Sequence, residues 1–176
     1  SRDSEENVED TWDDHYLMVH HLDETSGTHY DSTSNNNDGT AQNGLDQDAT
    51  GKIDGADNYD GSDDYILVSN GVANLLDNRG SWTYEAWLYP TKENCNIIGH
   101  PTELTFIFVN SDEAVGLATY YTGTGSTEYT SDNMITLNTW NHFVVTRDGS
   151  SLIVYVNTLS YDVITSSTQN GNVGGN

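Results

Sequence analysis

Positive charge is nearly absent from this sequence. Five Lys and Arg stand against 28 Asp and Glu in 176 residues, for a formal net charge of -23. Arg2, Lys52, Arg79, Lys92 and Arg147 are scattered and form no cluster. Phosphate backbones and anionic membrane surfaces are held by clustered Lys and Arg, so nucleic acid is excluded as a partner. Cysteine is as scarce: Cys95 alone closes no intrachain disulfide and builds no cysteine-rich zinc site, and it reads as a small buried apolar side chain. No run approaches the roughly eighteen apolar residues of a membrane span, so no membrane insertion is expected. No leader-like segment is visible, and a start at Ser1 rather than Met reads as a processed or excised piece. Helix signals are weak too, with only VANLLDN, residues 72–78, offering a short turn between Gly71 and Gly80.

What is present favours strands. Val, Ile, Leu, Tyr and Trp dominate an apolar content of 34%, and the length suits one domain with a two-sheet core. Asn-Gly and Asp-Gly pairs recur between short apolar segments, the spacing of an all-β sandwich. Strands are expected at 15–22, 39–42, 56–59, 65–68, 82–89, 96–99, 104–110, 115–121, 128–130, 140–147, 152–156 and 161–165. The strongest hairpin is WNHFVVTRDGSSLIVYVN, turned at Asp148-Gly149. In WTYEAWLYP, Trp82, Tyr84, Ala86 and Leu88 share one face and Thr83, Glu85, Trp87 and Tyr89 the other. Aromatics on both faces predict a strand covered on both sides. Residues 1–14 read as an acidic arm or linker, 15–165 as the sandwich and 166–176 as a polar Gly/Asn-rich tail.

The oddest stretch is LDETSGTHYDSTSNNNDGTAQNG, residues 22–44, which holds almost nothing for a core. Asp23, Glu24, Asp31, Asn35, Asn36, Asn37 and Asp38 could supply the 6 to 8 oxygens that Ca²⁺ takes, or they could form a solvated loop of Asx turns. The EF-hand spacing is absent. A second acidic run, DGADNYDGSDDY, could hold a cation through Asp57, Asp60, Asp63 and Asp64, but it reads better as a turn leading into a strand. His20 and His21 are adjacent, would point to opposite faces of a strand, and so do not form a zinc pair. No G-x-S-x-G elbow occurs.

Four blocks, HHLDETSGTHYDSTSNNNDGT, GKIDGADNYDGSDDYILV, WTYEAWLYP and TWNHFVVTRDGSSLIVYVN, follow one another in an order that resembles laminin G-like domains of the concanavalin A-like lectin and glucanase superfamily. The resemblance spans about residues 12–165. It implies an all-β, two-sheet antiparallel jelly-roll sandwich. It also favours calcium in the first block, with Glu24, Asp31, Asn36, Asn37 and Asp38 as ligands. The E-x-D-x-x-E strand of the superfamily's glucanases is missing, which implies a non-catalytic module. A lectin role would draw on exposed aromatics, with Tyr120 and Tyr121 as candidates, whereas Trp87 and Trp140 are expected to fill the core. The closing strand usual in the family is replaced by SSTQNGNVGGN, so the first strand would lack its neighbour and accept a strand from another chain. The functions implied are an extracellular or cell-surface structural and adhesion module that binds calcium and self-associates through its termini and an open sheet edge, as in a filament or sheath, or a calcium-dependent carbohydrate-binding module.

Overall fold

Turns rich in Asn, Asp and Gly cut the chain into short strands. The computed structural model describes residues 11–68, 81–99, 105–109, 111, 115–121, 124–129, 133–148, 151–157 and 160–165. Thirteen strands lie within them, all paired antiparallel. The chain divides into two compact units, Ser1–Leu75 and Leu76–Asn176.

The first unit holds β1 (Thr28–His29), β2 (Gly39–Gln42), β3 (Asp46–Thr50), β4 (Gly55–Asn58) and β5 (Tyr65–Val68). A three-stranded sheet runs β1-β2-β5, and β3 pairs with β4 in a separate ribbon. Asn43 and Gly44 both take positive φ, 60° and 95°, and Leu45 N–H bonds Gln42 C=O at 3.3 Å. That is the left-handed pair of a type I′ turn, which Asn-Gly adopts at little cost. The β3–β4 ladder shifts register between Asp46 and Ala49, a bulge opposite Asp57. At Gly55 a Cβ would lie 2.6 Å from Leu22 O and 2.9 Å from Asp23 Cα, so only glycine lets β4 approach this segment.

The second unit holds β6 (Trp82–Leu88), β7 (Cys95–Gly99), β8 (Thr105–Val109), β9 (Val115–Tyr121), β10 (Thr124–Tyr129), β11 (Asn141–Asp148), β12 (Ser151–Val156) and β13 (Ser160–Thr165). Two four-stranded sheets form, in the orders β10-β9-β8-β7 and β13-β12-β11-β6. Phe143, Val145, Val154 and Val156 are buried on one face of the second sheet, where each contributes about 1.5–3 kcal/mol by leaving water. Tyr84 meets Phe143 edge-on at 6.4 Å, and burial pushes its phenol up to about 12. Cys95 is only half-buried, and burial pushes its thiol upward.

Most expected strands recur within a residue or two, and 39–42, 65–68 and 115–121 recur with the same bounds. The turn at 72–78, the first ten residues of the arm and the 166–176 tail lie outside the described residues. Two expectations are corrected. Residues 15–22 form no strand, and their one ladder contact is the bridge His20↔Asp31. The backbone there is held by side chains instead: Asn35 and Asn37 amides take the carbonyls of Tyr16 and Leu17, and Asp31 takes Val19 N–H. The second correction concerns β6, whose Thr83, Glu85, Trp87 and Tyr89 are all exposed, so the strand is covered on one side only.

Candidate functional site

Three asparagines and two aspartates organise the loop before β2. Asp31 Oδ1 accepts Val19 N–H at 2.9 Å and Thr33 N–H at 3.0 Å. Its Oδ2 accepts the Thr33 hydroxyl at 2.8 Å and Asn37 N–H at 2.9 Å. Burial works to raise this carboxyl, but the N–H donors and the hydroxyl outweigh it and hold the group below its ordinary value. Asp38 Oδ1 accepts Asp31 N–H at 2.8 Å. Asn36, at φ 55°, donates its amide to Ser34 C=O at 2.9 Å, and Asn37 donates to Leu17 C=O at 2.7 Å.

Glu24 turns elsewhere. Its Oε1 takes Tyr30 N–H at 2.9 Å and its Oε2 meets His29 Nδ1 at 3.2 Å. Burial again works upward, and these bonds bring the net shift below the ordinary value. The five expected calcium ligands thus have hydrogen-bond partners that knit the loop to residues 16–19 and to β1. Carboxylates converge instead at Asp60, Asp63 and Asp64, whose ligand atoms lie within 4.8 Å of one another, and Asp57 points away from that group. Asp13, Asp14 and His15 make a similar but fully exposed group. His20 and His21 diverge as expected: His20 Nε2 lies 3.0 Å from Asn37 C=O, and the His21 ring lies 6.4 Å from Trp12.

A different constellation stands on the exposed face of β6, β11 and β12. Trp87 pairs directly with His142 across the β6–β11 ladder, their rings 4.9 Å apart at 38°. His142 Nε2 meets Glu85 Oε1 at 2.7 Å, with 62% of the Glu85 side chain exposed. Val144 stands opposite Glu85 on one side and Tyr155 on the other, so one row runs from Glu85 through Val144 to Tyr155 and on to the register position of Tyr161 in β13. Trp87 is 41% exposed and Tyr155 38%. At the end of β6, Tyr89 meets Trp140 edge-on at 5.5 Å. Trp87 therefore lies on the surface rather than in the core, and Trp140 packs at the sheet's end as a half-buried partner.

Local chemistry holds this face in place. Buried Asn141 accepts Thr136 N–H at 3.1 Å and donates to the carbonyls of Thr136 and Thr139 at 2.9 and 3.0 Å. Asn157 accepts His142 N–H at 2.9 Å and donates to Asn141 Oδ1 at 3.1 Å. His142 is thus set on a clamped strand end. Tyr120 and Tyr121 occupy the other sheet, at register positions opposite Gly125 and Thr124, and their side chains lie outside the described set. Sequence reasoning placed Glu85 and Trp87 on one face by alternation, but it could not tell which face met solvent.

The family model Laminin_G_3, described as the concanavalin A-like lectin/glucanases superfamily, matches residues 60–176. The chain belongs to this family. The match covers more than half of its length and crosses the boundary between the two compact units. The antiparallel all-β architecture agrees with the concanavalin A-like fold class. No curated protein and no solved structure matches significantly. Family membership supports a lectin- or adhesion-type module in general terms.

Proposed function

We propose that this laminin G-like chain is a non-catalytic extracellular adhesion module that binds carbohydrate on the exposed face of β6, β11 and β12. The observation that carries the reading is Trp87 standing exposed beside a His142–Glu85 pair joined at 2.7 Å. A pyranose ring has an apolar C–H face and a rim of hydroxyls. The indole of Trp87 and the phenol of Tyr155 offer apolar surface to the first, and the Glu85 carboxylate accepts from the second. His142, donating to Glu85, fixes the acceptor's direction before ligand arrives. Titration of the full chain with a panel of glycans tests the reading: Trp87→Ala and Glu85→Gln should each abolish binding at unchanged Tm. Glycan binding that survives both changes would sink it.

A second reading, self-association by strand addition, rests on residues 15–22. This segment has a single bridge, and its Tyr16 and Leu17 side chains are exposed. A strand from a second copy, as in a filament or sheath subunit, would have to displace the Asn35, Asn37 and Asp31 side chains that hold Tyr16 C=O, Leu17 C=O and Val19 N–H. Light scattering on the purified chain tests it, and a monomer at every concentration up to the millimolar range would rule it out.

Calcium in the 22–44 loop is proposed as a stabiliser only. An ion at Asp31 would have to displace N–H donors that already surround the carboxylate. Equal Tm in calcium and in chelator would remove calcium from the account.

A further inference from the structure

The carbohydrate reading leaves the class of sugar open, and charge on the exposed face of β6, β11 and β12 narrows it. Alternation sets Glu85 there beside Trp87, and it sets Asp148 at the turn end of β11, where Oδ1 accepts the Ser81 hydroxyl at 2.9 Å. No Lys or Arg joins them among the described residues of these strands. Arg147 alternates onto the face of Phe143 and Val145, opposite Trp82. In β13 the rows run on to the register positions of Tyr161 and Val163, which carry no charge. The surface is thus aromatic and acidic, and His142 on it is already committed to Glu85. A sugar bearing carboxylate, sulfate or phosphate finds no Lys or Arg partner among these residues, and a net charge of -23 repels it at long range.

Glu85 is an acceptor with capacity left over. Its Oε1 meets His142 Nε2 at 2.7 Å, while 62% of the side chain is exposed and Oε2 takes no hydrogen bond among the described residues. The bond to Oε1 needs one proton on Nε2, which a neutral imidazole supplies without cancelling the charge of the carboxylate. Trp87 lies two residues along the same strand, roughly 7 Å away at the backbone, and is 41% exposed. Indole is the side-chain ring that attracts a cation best, and a carboxylate beside it completes a site for an ammonium group. The buried acid of the first unit, by contrast, is closed to a ligand: Asp57 and its neighbour His29, 3.3 Å apart, are both 0% exposed.

We propose that the sugar bound on this face carries a free amine, as a 2-amino-2-deoxyhexose unit does, with its ammonium held between the Glu85 carboxylate and the Trp87 indole. The inference rests on the carbohydrate reading and names the ligand class of that same site. A ring bearing only hydroxyls would stack equally well on Trp87 but would give Glu85 a neutral donor. An ammonium adds a charge-assisted bond and a cation–π contact, and the field of the whole molecule favours its approach. N-acetylation removes the positive charge and with it all three advantages.

The test titrates the full chain with the β-1,4-linked disaccharide of glucosamine, its di-N-acetylated form, cellobiose and a uronic acid disaccharide. The buffer holds about 0.15 M salt at about pH 6.5, below the roughly 7.7–8.0 at which an α-amino group titrates. The free amine should bind about tenfold more tightly than the acetylated and neutral sugars, with no measurable binding of the uronic acid. Raising salt to about 1 M should shrink the preference. Glu85→Gln should lose the free-amine sugar, whereas Asp48→Asn, which removes the same charge from an exposed position on β3, should bind it as wild type does. Equal binding of the acetylated or neutral sugar, lost in Trp87→Ala, would overturn this inference and leave the carbohydrate reading standing. Amine binding that Glu85→Gln retains would overturn it as adsorption to the general acidity. Failure of all four sugars would overturn it as well, and the wider glycan panel then decides the carbohydrate reading.

Discussion

Asp31 shows how one residue can organise a loop that has almost no core. Four donors, three backbone N–H groups and one hydroxyl, converge on its carboxylate. Charge-assisted bonds of this kind are stronger than neutral ones, and their loss leaves partly buried donors unmet. Asp31→Ala should therefore lower stability by roughly 2–4 kcal/mol, read as a lower midpoint in urea unfolding. Asp57 acts in the opposite sense. Its folded-state carboxyl is raised to about 6 by burial, above the ordinary value. Its contribution is therefore fully present below about pH 4 and is lost as pH rises through about 6. In chelator, wild type should lose stability relative to Asp57→Asn between pH 4 and 7, measured as diverging melting curves. Parallel curves would remove Asp57 from the pH response.

At the scale of elements, β6 and β11 each carry two different jobs on alternate residues. Phe143 and Val145 face the interior, while His142 faces the exposed side together with Glu85 and Trp87. Substitutions on the two faces should separate cleanly. Phe143→Ala empties a fully buried site and should cost about 3–5 kcal/mol. Trp87→Ala should leave Tm within about 2 °C, since exposed substitutions away from special features change stability little. Calorimetry together with glycan titration distinguishes the two outcomes. The strand pattern of β6 was legible in WTYEAWLYP because period-2 alternation depends only on local geometry. Which face met solvent was not legible, because both faces carry aromatics. Likewise HYLMVHHL reads as a strand from composition. Its ladder was pre-empted by the amides of Asn35 and Asn37 and by Asp31, contacts made from more than ten residues away.

For the whole molecule the dominant quantity is the net charge of -23. Like charges at this density repel one another in the compact state, and salt shortens the range of that repulsion from about 10 Å at 0.1 M to about 3 Å at 1 M. Tm should therefore rise with sodium chloride over this range, and self-association, if carried by strand addition, should strengthen with it. Light scattering across the same salt series checks both. A Tm that falls with salt would show that attractive ion pairs outweigh the repulsion.

Composition, alternation and Asn-Gly or Asp-Gly punctuation by themselves determined the all-β class and most strand positions. These follow from backbone geometry, which needs no knowledge of distant neighbours. Tertiary structure alone decided where the polar groups went. It turned Glu24 from the loop to His29 and set Asp31 as an acceptor for backbone N–H. It also buried Asp57 beside an imidazole and left Trp87 outside the core. Each of those outcomes depends on which segment arrives within about 3 Å of a side chain, and hydrogen-bond energies fall off too steeply with distance and angle for sequence spacing to specify it.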